Sequence, residues 1–345
     1  MATGIAGNPI FLEDDGDDDT ISEFSQNPKP AKRLCISEPK LKPEQETTLG
    51  IHTDGCIVEN AAIGKLGLTA TVVQCGLHAV DTTFIASLEQ TEPASKCYSK
   101  VDTPEQYKMR RIHVRAGSAV FWNGWTAHTN ENTDRPNKGV INCEHDVTSS
   151  TIEGAIEKLK KYGVAVLLDV LNPDEQQAVI AGMIDDIRRV APPGTPVWAL
   201  KPPGSIGCLI VKCYALPNTT NAQRLRLNIK IRKFYSIFYG IPPEDLTLSN
   251  DAITWKPPSP SSPEIPKRCG IFISYGPYAA MGPKEADKKL KGMQAGKSSS
   301  HNPTRYRAGG GPGHMSNPKE GNTGHWKTVL DPISIEQRQA LGIRP

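Results

Sequence analysis

The chain has 345 residues, 37% of them apolar, and its 40 Lys and Arg against 37 Asp and Glu leave a formal net charge of +3. That is enough apolar material for one large domain with a tail, and too little charge to draw the protein to nucleic acid or an anionic membrane. No apolar run approaches the roughly 20 residues that cross a bilayer, and the start, MATGIAGNPIFLEDDGDDD, lacks the basic-then-apolar layout of a secretory signal, so the expectation is a cytoplasmic protein with no membrane partner.

The 30 glycines and 29 prolines favour a turn-rich β architecture over a helix bundle. Eight cysteines, at 35, 56, 75, 97, 143, 208, 213 and 269, form no CxxC and no zinc-ribbon spacing. They read as free thiols of a reducing compartment, several of them buried, with no local signature of a nucleophile.

Residues 1–45 read as a disordered leader. An acidic run (Asp14, Asp15, Asp17 to Asp19) precedes NPKPAKRLCISEPKLKPEQ, and neither stretch can bury apolar area. The cluster Lys29, Lys32 and Arg33 offers a nuclear address as the alternative to a solvated linker. From Gly50 to Val147 the pattern is β: LGLTATVVQCGL, DTTFIASL, RIHV and SAVFW are short β-branched or aromatic runs broken by turns, and Gly117 suits the turn into SAVFW. Over 151–190 the pattern changes. TIEGAIEKLKKYG predicts an amphipathic helix capped at Gly163, and VAVLLDV predicts a buried strand. Asn172 and Pro173 then suit N-cap and N1 of a helix whose apolar face holds Ile180, Met183, Ile184 and Ile187.

Residues 221–239 fit two patterns. Leu225, Leu227, Ile229 and Ile231 alternate like a strand, while the length suits a helix. Arg224, Arg226, Lys230, Arg232 and Lys233 read as a solvated basic face. SPSSPEIP reads as a linker, RCGIFISYG as a strand followed by a lysine-rich helix, and SIEQRQALG as a last short helix. RAGGGPGH follows no strand and lacks the Lys-Ser/Thr of a phosphate loop.

Two segments carry chemistry: IHTDG (51–55) and FWNGWTAHTN (121–130). On a strand, positions i and i+2 share a face, so His52 and Asp54 can present an imidazole and a carboxylate to one metal, and His128 can add a second imidazole. Two histidines and a carboxylate leave open coordination positions, the arrangement of non-haem Fe(II) oxygenases. His-x-Asp alone is a weak signal; the β context around both segments strengthens it. His78, His113 and His145 have no carboxylate at i+2 and read as structural or exposed.

With these motifs the chain resembles the phytanoyl-CoA dioxygenase-like family of Fe(II)/2-oxoglutarate oxygenases. HTDG looks like the family's His-x-Asp element, and RAGSAVFWNGWTAH like its Gly-strand-distal-His element. EKLKKYGVAVLLDVLNPDEQQAVI looks like its opening helix-strand-helix, ITWKPP like its Lys-Pro-Pro element, and RCGIFISYGPY like the strand after the distal histidine. The resemblance spans most of 46–345. It implies a mainly β fold with flanking helices, a double-stranded β-helix (jelly roll, cupin-like), with a metal-ligand block (46–148), opening helices and strands (151–258), and a last strand and tail (267–345). It also implies Fe(II), 2-oxoglutarate and O2 as cofactors.

Two features depart from the family pattern. The His-x-Asp block precedes the opening block instead of following it, which leaves open a rearrangement, a partial duplication or a misassembled gene. The Gly-Ser-His turn between the metal elements is missing, and FIASLEQTEP stands there. A dicarboxylate cosubstrate needs a cation, and Arg binds carboxylate bidentately. Arg268 matches the family strand that supplies it, Arg135 and Lys138 are the candidates if linear order is respected, and Lys256 matches the Lys-Pro-Pro lysine. The expected activity is hydroxylation of a small organic or lipid-like substrate. The alternatives are a non-catalytic jelly-roll relic, and a nuclear oxygenase acting on protein or nucleic acid.

Overall fold

The computed structural model describes residues 63–67, 72–88, 108–130, 140–202, 210–299, 301–306 and 326–343, with the backbone alone at 52–53, 99–100 and 130. The expected leader (1–45) and the run RAGGGPGH lie outside the described residues, as do Asp54, Arg135 and Lys138.

The strands of the first half are β1 (His52–Thr53), β2 (Val73–His78), β3 (Thr82–Ser87), β4 (Ser99–Lys100), β5 (Met109–Val114), β6 (Ala119–Asn123), β7 (His128–Asn130), β8 (Ile141–Asn142) and β9 (Thr148–Ser149). They are followed by β10 (Val164–Leu167), β11 (Ile210–Val211), β12 (Leu246–Leu248), β13 (Ile253–Lys256), β14 (Arg268–Ile273) and β15 (Tyr275–Pro277). One sheet runs β4-β1-β7-β3-β5-β8 and a second runs β11-β13-β14-β2-β6-β10-β9, while β12 and β15 pair separately. Every ladder in the two large sheets is antiparallel except β5–β8 and β9–β10. The protein is therefore β-rich with flanking helices.

Period-2 alternation assigns each strand two different neighbours. On the second sheet, Val73, Cys75 and Leu77 of β2, Phe121 of β6, Trp255 of β13 and Ile271 of β14 join the helices in the larger core. The residues between them turn the other way: Val120 and Trp122 of β6, Val164 and Val166 of β10 and Phe272 of β14 meet Phe84, Ala86, Ile112 and Val114 of the first sheet. The second sheet is thus the middle layer, which is why all six residues of β2 are buried.

The helices that cover it follow their sequence signals. Helix α1 (Ile152–Tyr162) starts at Thr151, whose side chain accepts from the Gly154 N–H, and ends at Gly163 in the left-handed region at φ 72°. Helix α2 (Pro173–Val190) has a full capping box between Asn172 and Glu175 with Pro173 in its first turn, and buries Ile180, Met183 and Ile187. The ambiguous stretch resolves as helices α3 (Thr220–Arg226) and α4 (Ile229–Tyr239), and Ile229, read as one of its apolar set, is 72% exposed. Arg226 departs from the expected solvated face. It is buried and donates to the carbonyls of Pro217 and Asp251. SPSSPEIP is the hairpin between β13 and β14, closed by a Ser259–Ser262 bridge. The lysine-rich segment forms α5 (Glu285–Gln294), and SIEQRQALG forms α6 (Ile335–Ala340). Among the described residues Cys75, Cys143, Cys213 and Cys269 are in no disulfide, and burial pushes Cys213 and Cys269 up to about 12, far from thiolate chemistry.

Helix α4 is pinned to the middle sheet by two contacts. Phe234 stacks on Phe121 with centroids 3.7 Å apart. The Tyr235 hydroxyl lies 3.0 Å from the Val73 carbonyl and 3.1 Å from that of Ile273. Phe234→Ala opens a cavity against the reverse side of β6 and is expected to cost about 3–5 kcal/mol in urea unfolding; a loss under about 1 kcal/mol would mean that α4 does not anchor the sheet.

Candidate metal and cosubstrate site

A tight turn sets the start of β7. The Thr126 N–H donates to the Asn123 carbonyl (2.8 Å) and the Trp125 N–H to the Asn123 side chain (3.0 Å). The Thr126 hydroxyl donates to the carbonyl of Gly163 (2.9 Å), tying the turn to the end of α1. His128 follows, only 3% exposed, with its ring stacked on Phe84 (5.6 Å) and tilted against Trp122 (5.1 Å). Its Nδ1 lies 2.9 Å from the Thr126 carbonyl. A carbonyl can only accept, so in the neutral ring Nδ1 carries the proton and Nε2 the lone pair, the tautomer a metal ligand needs.

On one side of His128, residue 52 of β1 is its direct antiparallel partner; on the other, Ala86 of β3 is, followed by Arg110 of β5. These positions form one row across the sheet. Asp54, the third expected ligand, lies outside the described residues, and among the described residues no three His, Cys, Asp or Glu side chains form a metal-binding group.

The cations sit on the facing sheet. Arg268 on β14 and Lys256 on β13 are direct partners. Arg268 is 2% exposed, and burial brings its guanidinium down to about 10. The next inward row is Thr254, Gly270 and His78 on three adjacent strands. A Cβ on Gly270 would lie 2.4 Å from the Leu77 carbonyl, 2.9 Å from His78 Nδ1 and 3.0 Å from Thr254 Oγ1. Only glycine fits there, and its bareness lets the His78 and Thr254 side chains converge. His78 is fully buried, and burial, with the Arg268 charge as a smaller cause, lowers its pKa to about 3. His113 and His145 are exposed, His145 stacking on Tyr162 at 5.2 Å.

The inner faces also carry polar groups of which the sequence singled out only His78. Gln74 Nε2, His78 Nδ1, Thr82 Oγ1, Ser118 Oγ, Trp122 Nε1 and Thr254 Oγ1 are buried with no hydrogen-bond partner. By strand parity Gln74, His78, Thr82, Trp122 and Thr254 face the space between the two sheets, and Ser118 immediately precedes β6. Each such group costs about 1–3 kcal/mol when left unpaired, so these groups mark the layer as a candidate chamber for water or a ligand, set beside the apolar cluster of Phe84, Ile112, Val120 and Val166.

No protein family, no curated protein and no solved structure matches this chain. Among the described residues, no helix is long and apolar enough to cross a membrane.

The depressed pKa of His78 has a definite pH signature. Between pH 6.5 and about 3 the unfolded chain binds a proton that folded His78 refuses. This contribution to stability is complete above 6.5 and is lost as pH falls toward 3. Wild type is expected to lose about 4 kcal/mol more than His78→Leu across that window in urea titrations; parallel pH profiles would contradict the buried neutral state.

Proposed function

We propose that the chain is an Fe(II)/2-oxoglutarate-dependent oxygenase built on a jelly roll with a rearranged strand order. The sheet orders support the roll. If β13 is counted as strand one and β1, β2, β3, β5, β6, β7 and β14 as two to eight, the sheets contain 1-8-3-6 and 2-7-4-5, the interleaving of a double-stranded β-helix. The rearrangement then takes a simple form. Strands two to seven stand before strand one in the chain, and strands one and eight are joined directly by the hairpin between Lys256 and Arg268. Because these two strands are neighbours in the sheet, that join is short and strains nothing.

The observation that carries the reading is the register of residue 52 against His128. Directly opposed residues on antiparallel strands share a face. Two histidine positions therefore meet on the inner face, with Asp54 two residues along the chain from one of them. When bound, iron supplies the redox chemistry that couples 2-oxoglutarate and O2 to succinate, CO2 and a hydroxylated C–H bond of the second substrate.

The remaining work falls to the protein's own groups. The Thr126 carbonyl holds the His128 tautomer. Phe84 stacks on its ring and Trp122 tilts against it, and together they exclude water from that side. Arg268, with Lys256 beside it, provides the charge for the distal carboxylate of the cosubstrate. The unpaired Thr254 hydroxyl and His78 Nδ1, one row further in, offer it hydrogen bonds. This donor set fits a dicarboxylate: positive charge at one end and neutral polar atoms behind it. Arg268 is the preferred anchor because its strand adjoins the chamber. The second substrate is a small organic or lipid-like molecule.

The test is succinate formation by full-length protein loaded anaerobically with Fe(II) and then given 2-oxoglutarate and O2. His128→Ala is expected to lower the rate by about 100-fold or more. Arg268→Ala is expected to raise the KM for 2-oxoglutarate by about tenfold or more, the worth of a charge-assisted pair. Wild type without iron-dependent succinate, or His128→Ala at the wild-type rate, would instead identify a jelly roll that has lost catalysis.

A further inference from the structure

The chamber holds a second polar pair, separate from its cations. Gln74 on β2 and Trp122 on β6 are direct antiparallel partners and share the inner face. Gln74 is 4% exposed and Trp122 is 2% exposed. The amide Nε2 of one and the indole Nε1 of the other have no hydrogen-bond partner. Two buried N–H donors side by side, both unsatisfied, require an acceptor.

The surroundings define that acceptor. Trp122 is packed by Phe84 at 5.0 Å, by Phe272 at 6.1 Å and by His128 at 5.1 Å between ring centroids. The shell is aromatic. Gln74 and His78 are four residues apart on one strand, about 13 Å along it, so the Arg268 and Lys256 end of the chamber is remote. Arg110 shares the inner face of the other sheet, and one nitrogen of its guanidinium, Nη1, donates to the carbonyls of Lys108 (3.2 Å) and Met109 (3.5 Å). The Gln74 and Trp122 donors are both uncharged, so they offer neutral hydrogen bonds rather than an ion pair, which suits a carbonyl or hydroxyl oxygen better than a carboxylate.

We propose that Gln74 and Trp122 form a seat for one uncharged oxygen, a carbonyl or hydroxyl, of a compact apolar second substrate. The inference rests on the oxygenase reading for its consequence: an oxygen held there sets a neighbouring C–H bond beside His128. It also sorts the chamber by charge. The acidic cosubstrate belongs at the Arg268 end, and the neutral substrate at the Trp122 end.

The test uses full-length protein loaded with 2-oxoglutarate and Zn(II), a diamagnetic stand-in for Fe(II), and labelled with nitrogen-15. The five tryptophans give separable indole N–H signals, and Trp122→Phe, which keeps an aromatic ring, identifies that of Trp122. Cyclohexanone, cyclohexanecarboxylate and methylcyclohexane are the probes. Cyclohexanone is expected to move the Trp122 signal downfield, as hydrogen-bond formation does, and the carboxylate and the hydrocarbon to leave it in place. Gln74→Leu should weaken cyclohexanone binding about fivefold, the loss of one neutral hydrogen bond. A Trp122 signal indifferent to the ketone, or shifted as far by the carboxylate, would overturn the proposal. Because the readout needs no turnover, it is separate from succinate formation: a ketone-responsive Trp122 in a protein that makes no succinate would keep the seat and remove the oxygenase.

Discussion

The antiparallel pairing of β7 places His128 between residue 52 on one strand and Ala86 on another, and every functional statement depends on it. The pairing is long-range and short, since β1 has two residues and β7 three. It is held from outside: the turn before β7 is locked to Gly163, and β3 pairs with β5 over its whole length. The site is thus rigid where the second half of the chain braces it.

The chamber spends stability on polarity. On the middle sheet the outward residues form a close-packed core with α2, α3 and α4, anchored by stacked Phe121 and Phe234. The inward residues of the same strands include Gln74, His78, Trp122 and Thr254, each with one side-chain polar atom that has no hydrogen-bond partner. A core selected for stability alone would carry apolar residues at those positions. The contrast between the two faces of one sheet is what the proposed ligand would explain.

Much of the architecture was legible in the sequence where local physics decides it. Helix caps at Asn172 and Gly163 and the buried strand at 164–167 follow from local rules. So do β2, β6 and β14, whose apolar runs are bounded by turns. Residues 220–239 were not, because Leu225, Leu227, Ile229 and Ile231 alternate like a strand while the helices α3 and α4 take their burial from tertiary packing. The basic residues there misled for the same reason: Arg226 is held inside by two carbonyls distant in sequence. Gln74, Trp122 and Thr254 carry no motif. Parity along β2 put Gln74, Gly76 and His78 on one face, the single available signal, but a second sheet covers that face and nothing local announces it. The side-by-side pairing of β13 and β14, on which the proposed rearrangement rests, is long-range information that no local pattern carries.

The most direct test is X-ray absorption at the iron edge of anaerobic, Fe(II)-loaded protein. The account predicts one tightly bound ion per chain whose first shell includes two imidazoles at about 2 Å, one of them lost in His128→Ala. Weak, non-stoichiometric iron, or a first shell unchanged by that substitution, would contradict it.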